Sequence, residues 1–319
     1  MLPRFIEKTY KATLFSRHDD DGSCFYFSVS DFPGLCRREF SVKNQNGHLM
    51  RGYFYYYDGA RDDSLVVFEH GMGVGHRAYM REINTLCSKG YPVYSYDHTG
   101  CTESEGENIR GFSGSLADLD AVISALLSVP ELKSRKISVV GHSWGGFSTM
   151  NIGALHNEIH SLVAISGFSS VSAIQKQVIP FFLRPFVKGL FEIEKKENPA
   201  YAEICSACSL EKTNARVLII HSDDDKTVSC KLHFDPLARL LSEKENITFL
   251  KVTGKNHNPN YTTDAVLYKN SYVKELSSKK KKGELKTEEE KRAFNLGFDF
   301  IRMTEQDREV WNRIFETIG

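Results

Sequence analysis

At 319 residues the chain can bury a full core, and its length fits one large α/β domain as well as two small ones. Its 41 lysines and arginines balance its 41 aspartates and glutamates, so no net field gathers nucleic acid or an anionic membrane. The opening "MLPRFIEKTYKATLF" lacks the apolar core of a signal peptide and no later run approaches a membrane span, so the expectation is a cytoplasmic protein without an integral membrane segment.

In chain order, residues 38–70 read as three strands: "REFSVK", the turn "NQNG", "HLMRGYFYYY", a polar turn and "SLVVFEHG". They form an antiparallel entry into a larger sheet. Strand-like runs then alternate with helix-length segments: "YPVYSYD", "KISVVGH", "SLVAISG", "ARVLIIHS" and "ITFLKV". Between the first two, Leu116, Leu119, Ile123, Leu126 and Leu127 fall on one helical face. This rhythm predicts an α/β fold, a mostly parallel central sheet with helices on both faces, in a single domain spanning 1–319.

Two stretches depart from the rhythm. Residues 168–210 contain "AIQKQVIPFFLRPFVKGLF", broken by Pro180 and Pro185, and read as a helical cap. Its Phe181, Phe182, Phe186 and Phe191 either wall an apolar pocket or bury the cap against the body, while Glu192, Glu194 and Glu197 read as a solvated helix face. Residues 259–300 form a second insertion, with Ala265, Tyr268, Tyr272 and Leu276 on one helical face before a solvated loop at Lys279–Lys282. A last helix runs from about Thr304 to Thr317, with Val310, Ile314 and Phe315 inward.

The seven cysteines are scattered, as suits reduced thiols. Cys205-Ser-Ala-Cys208 has CxxC spacing, but no second pair or nearby histidine completes a metal site. Neither a metal nor a cofactor is expected, and nothing in the sequence sets an oligomeric state.

"VVGHSWGGFS" places Ser143 on the turn between a strand and a helix, among glycines that let strand and helix approach. A strained turn lifts the hydroxyl clear of the sheet, and the helix N-terminus offers the amide of Trp144 to a developing oxyanion. A serine nucleophile needs a base, and the base needs an acid. In a parallel sheet both come from loops at the carboxyl ends of strands. "VLIIHSDDDKTVS" supplies three consecutive aspartates after one strand, and "KVTGKNHNPN" supplies His257 after the next. A second oxyanion donor, the amide of Met72, comes from "FEHGMGVG"; this loop has no GxGxxG or Gly-Lys-Ser/Thr, which argues against a nucleotide.

Together "EHGMGVG", "YDHTGCTES", "GHSWGG", "HSDDDKTV" and "GKNH" resemble the α/β-hydrolase family over roughly residues 40–257 and the final helix. The resemblance implies a Ser143, Asp225 and His257 triad with Met72 and Trp144 amides as the oxyanion hole. Asp225 is selected because Ser222 and Val228 take the flanking places of the family's G-x-x-D-x-x-V. Thr99 and Thr102 depart from the family's D-x-R-G-x-G-x-S turn, which bears on the pocket wall and not on the triad.

The expected function is therefore a serine hydrolase that cleaves short to medium acyl esters through an acyl-enzyme, with a small-molecule ester as partner, no nucleic acid, and Phe181, Phe182 and Phe186 in the pocket. In outline the chain is similar to the monoglyceride-lipase and lysophospholipase branches. The alternatives are a peptidase or amidase of the serine-aminopeptidase or proline-iminopeptidase kind, a thioesterase, or a silent binding module on the same fold.

Overall fold

In the computed structural model, which describes residues 3–319, the apolar runs become strands, the central ones buried on both faces. They are β1 Cys36–Glu39, β2 Val42–Lys43, β3 Leu49–Met50, β4 Gly52–Tyr56, β5 Ser64–Glu69, β6 Val93–Tyr96, β7 Lys136–His142, β8 Ile159–Ile165, β9 Arg216–Ser222 and β10 Ile247–Val252. Eight form one sheet in the order β1-β4-β6-β5-β7-β8-β9-β10, and β2 and β3 form a separate hairpin. β1, β4 and β6 pair antiparallel; from β6 through β5 to β10 the strands are parallel.

The first two expected strands each break in two. At the second break the backbone of Arg51 leaves the ladder for the turn after β6: its carbonyl accepts from Asp97 N at 2.9 Å, and its N–H donates to Ser104 Oγ at 2.8 Å.

The helices are α1 Arg4–Leu14, α2 Met80–Cys87, α3 Gly114–Ser128, α4 Pro130–Lys133, α5 Trp144–Ile152, α6 Val171–Val178, α7 Val187–Glu197, α8 Ser206–Lys212, α9 Cys230–Leu240, α10 Thr263–Lys281, α11 Glu288–Asn295, α12 Phe300–Met303 and α13 Arg308–Ile318. Alternation along each strand divides the core. Val67, Val139, Leu162 and Ile219 point to the side covered by α3, α5, α8 and α9. Val66, Val140, Val163 and Leu218 point to the side covered by α2 and α13. The last helix starts at Arg308 rather than near Thr304, because Asp307 caps it, accepting from Glu309 N at 2.9 Å and Val310 N at 3.0 Å.

Within 168–210 the chain forms α6, a 3-10 turn at Phe181–Phe186, and α7. These pack on α1: Ile6, Tyr10 and Phe15 meet Ile179, Val187, Leu190 and Ile193 in a small core of their own. Within 259–300, α10 and α11 close over the segment before β1, where Phe25 stacks on Phe300 with ring centroids 4.2 Å apart. Lys279–Lys281 are not a loop. They form the last turn of α10, where cations offset the negative end of the helix dipole. No helix among the described residues is long and apolar enough to cross a membrane.

Candidate active site

Between β7 and α5 stands Ser143, with φ 59° and ψ −110°, a conformation that side-chain-bearing residues seldom adopt. The turn is held by the Ser143 N–H, which donates to Ile165 O at 2.8 Å. Strand and helix approach so closely that a Cβ on Gly141 would lie 2.3 Å from the Gly145 carbonyl oxygen, and one on Gly145 would lie 2.4 Å from that of Glu69. Only glycine fits either place, and the half-buried hydroxyl of Ser143 stands free at the end of the sheet.

β9 and β10 deliver the two other residues. His257 Nε2 lies 2.9 Å from Ser143 Oγ, and its Nδ1 lies 2.8 Å from Asp225 Oδ2. With Nδ1–H donating to the carboxylate, the Nε2 lone pair faces the serine hydroxyl. Asp225 also accepts from the amides of Thr227 at 2.8 Å and Val228 at 3.0 Å. Burial raises its pKa, but His221, His257 and the Val228 amide together hold it well below the usual carboxylate range.

The neighbouring aspartates have other partners. Asp223 accepts from Thr253 Oγ1 at 3.1 Å, and Asp224 from Asn256 N at 2.8 Å and Ser222 Oγ at 2.6 Å. Ser222, in the place where a glycine was expected, thus helps bind the loop that carries His257: the Lys255 N–H donates to its Oγ at 3.0 Å.

The loop from His70 to Gly75 is pinned at both ends. His70 Nδ1–H donates to Gly71 O at 2.8 Å while its Nε2 accepts from His98 N at 3.0 Å. Asp97 accepts from both the backbone N and the ring Nδ1 of His76, each at 2.7 Å. The loop passes beside the elbow: a Cβ on Gly71 would lie 3.5 Å from that of Ser143. The Met72 amide makes no hydrogen bond to another described backbone group, and the Trp144 amide begins α5 without an intrahelical acceptor.

Sequence reading missed a connection through His142. Its Nε2–H donates to His257 O at 2.7 Å, its Nδ1 accepts from Tyr79 OH at 2.9 Å, and Tyr79 OH accepts from Gly71 N at 3.1 Å. Burial, then neighbouring His257, pushes its pKa down to about 3, so it stays a neutral strut between the base loop and the Gly71 loop. The signal available was a histidine immediately before the elbow serine, on the opposite face of β7.

Ser143 and His257 open into a cavity of about 640 Å³, lined by Met72, Phe112, Trp144, Phe168, Ile174 and Val178 on one side and Phe25, Tyr261, Tyr272, Leu276 and Phe300 on another. The expected cap residues do not line it. Phe181 and Phe182 are 80% and 74% exposed, and Phe186 packs on the small core with α1. The Phe181–Phe186 segment, flanked and broken by two prolines, faces outward, and the wall comes from α6 and from the 259–300 insertion.

Glu194 is likewise not solvated. It is fully buried on the Val187, Leu190, Glu194 stripe of α7, accepting from Tyr10 OH at 2.9 Å and Phe112 N at 3.2 Å. The turn after β6 differs from the expected pattern in its own way. Thr99 bonds Asp118 through N and Oγ1, both at 2.8 Å, and Arg17 reaches across to the carbonyls of Thr102, Ser104 and Gly106 at 2.7–2.8 Å.

A model of the serine aminopeptidase S33 family matches residues 60–201, a span that contains the Gly71 loop and the Ser143 elbow. An esterase of Pyrococcus furiosus superposes with a TM-score of 0.61 at 17% identity, over 83% of this chain and 96% of the esterase. Est1E of Butyrivibrio proteoclasticus, solved with ferulic acid bound, gives 0.56 at 17% identity over 75% and 98% of the two chains. The acylaminoacyl peptidase of Pyrococcus horikoshii gives 0.52 at 16% identity, over 71% of this chain and 38% of the peptidase. At these identities the structures speak to fold, and the family match falls on the loop and elbow that frame the cavity. The chain has the α/β-hydrolase fold, and its residues 60–201 are similar to the serine aminopeptidase S33 family.

Proposed function

We propose that the chain is a serine hydrolase of carboxylic esters, with Ser143 as nucleophile, His257 as general base and acid, and Asp225 as the residue that orients the imidazole. The observation that carries this is the bridge of His257 between Ser143 Oγ at 2.9 Å and Asp225 Oδ2 at 2.8 Å, at the edge of a mostly apolar cavity. As Ser143 Oγ attacks the ester carbonyl, His257 Nε2 takes its proton. The amides of Met72 and Trp144 receive the negative charge on the carbonyl oxygen. The proton then passes to the leaving alcohol, and water, activated by the same Nε2, releases the acid from the acyl-enzyme.

Ester rather than peptide is supported by the fate of the acidic groups a peptide's α-amine would need. Glu194 is buried against Tyr10 and Phe112, and the aspartates at the cavity mouth are tied up: Asp19 to Arg17 at 2.7 Å, Asp20 to Arg292 at 2.9 Å and Asp21 to Lys291 at 2.7 Å. The test is a panel of p-nitrophenyl esters, from acetyl to octanoyl, beside aminoacyl p-nitroanilides, on the wild type and Ser143→Ala. Ester turnover that vanishes in the variant is expected. Preferential cleavage of the anilides would move the assignment to the peptidases.

A further inference from the structure

The cavity wall holds one charge that hydrolysis itself does not use. Lys269, on the second turn of α10, lines the cavity with Tyr261, Tyr272 and Leu276. Its ammonium has three donors, and one reaches a protein acceptor, Asn258 Oδ1 at 2.9 Å. The Nζ also sits 5.2 Å from the centroid of the Tyr261 ring.

Among the described residues no carboxylate lies within 4.0 Å of this ammonium, in contrast to Lys255, Lys279 and Lys291, which are each ion-paired. Asp19, Asp20 and Asp21, which share the cavity, are held by Arg17, Arg292 and Lys291. Glu82, behind the wall, is engaged by Asn260 Nδ2 at 3.3 Å, and burial pushes its pKa up to about 7, so it is an incomplete counter-charge. The Cys24 thiol nearby is pushed up to about 11 by burial and is neutral. Burial lowers the Lys269 pKa from the ordinary lysine value, with Glu82 opposing the shift, so an ammonium among these aromatic rings is costly, and a methionine would fill the same wall without that cost.

Asn258, which holds the ammonium, directly follows His257. The charge therefore stands on the wall of the same cavity that Ser143 and His257 line. Resting on the hydrolase reading above, we propose that Lys269 is an anion subsite of the cavity and that the substrate is an ester bearing a carboxylate on its acyl chain or on its alcohol.

The experiment measures kcat/KM in two matched pairs. Mono-p-nitrophenyl adipate and suberate against p-nitrophenyl hexanoate and octanoate place the carboxylate on the acyl side. The 4-carboxyphenyl and 4-carboxamidophenyl butyrates place it on the alcohol side. A preference for the charged member is expected in one pair, which identifies the side. Lys269→Met should reduce that charged-to-neutral ratio roughly 10- to 100-fold, the range for removing a hydrogen bond to a charged group. Lys269→Arg should keep most of it, and Lys269→Glu should invert it.

A lysine that merely braces Asn258 would lower both members of each pair together. That result, or the absence of a charge preference in both pairs, overturns the proposal. A binding arm separates it from the hydrolase reading. Calorimetry on Ser143→Ala should show the charged amide binding more tightly than the neutral one in one of two pairs, 8-amino-8-oxooctanoate against octanamide or N-(4-carboxyphenyl)butanamide against N-(4-carbamoylphenyl)butanamide, and the difference should disappear in Ser143→Ala/Lys269→Met. If no ester is turned over yet this difference is found, the anion subsite stands and the hydrolase reading falls. Equal binding in both pairs counts against the subsite.

Discussion

At the scale of single residues, three adjacent aspartates divide their work by the strand end on which they stand. Asp225 alone reaches His257, while Asp223 and Asp224 fasten the loop that follows β10. Asp225→Asn should therefore lower kcat by about 10⁴-fold, the cost of losing the imidazole's orientation in comparable triads. Asp223→Asn should cost least. Asp224→Asn should fall between, because Asp224 holds the amide of Asn256, next to the base. Steady-state kinetics of the three variants checks the order, and an Asp224 variant as inactive as the Asp225 one would contradict it. Ser143, His257 and the aspartate run were legible because each follows an apolar run directly. His142 and Glu194 were not, since their importance lies in partners distant in sequence: Tyr79 and the His257 carbonyl for one, Tyr10 and Phe112 for the other. For Glu194 the helical spacing with Val187 and Leu190 was nonetheless a visible signal of burial.

At the scale of elements, composition misled about which part of the 168–210 stretch helps build the pocket. Three phenylalanines near two prolines suggested an apolar wall, but the segment faces outward and leaves Phe181 and Phe182 in solvent. The wall comes from α6 and α10, through Val178 and Leu276. Replacing both by alanine should erode the preference for octanoyl over acetyl esters by roughly fourfold for each substrate methylene left without apolar cover, at about 0.8 kcal/mol per methylene. Phe181→Ser/Phe182→Ser should leave that preference unchanged. The ratio of kcat/KM for the two esters is the measurement, and the opposite pattern would return the pocket to the Phe181–Phe186 turn. The partnership of α1 with α6 and α7 was not legible, because the apolar face of α1 has no meaning without the residues it packs against.

Across the whole molecule, the direction of the strands could be read because alternation of short apolar runs with amphipathic helices admits few other packings, whereas their order across the sheet was not read. The buried histidines could not be read, since charge state depends on what surrounds a ring. Burial lowers His70 and His142 to about 3 and His233 to about 4, with His98, His257 and His221 adding to the respective shifts. Each group's folded pKa is below the ordinary histidine value of about 6.5, so the unfolded chain binds more protons as pH falls from there toward those values. Stability should then decline by up to about 1.4 kcal/mol per pH unit for each histidine.

His98 works in the opposite sense. Burial lowers it, but Glu69 at 3.3 Å and Asp118 at 3.4 Å raise it to about 9, so its contribution is complete below 6.5 and lost as pH rises through 9. Urea unfolding from about pH 4 to about pH 9.5 should give a maximum near neutrality, and His233→Gln should flatten the acid limb. A stability that is level between about pH 4 and 6.5 would contradict these neutral histidines.

The proposed chemistry rests on one oxygen atom, and a fluorophosphonate reports on it directly by bonding irreversibly to an activated serine. After treatment of the folded protein, peptide mass spectrometry should find a single phosphonylated site, on the peptide containing Ser143. The folded Ser143→Ala protein should remain unmodified, and Asp225→Asn should label much more slowly. An adduct on another residue that persists in Ser143→Ala, or a wild-type protein that does not react, would contradict Ser143 as the nucleophile.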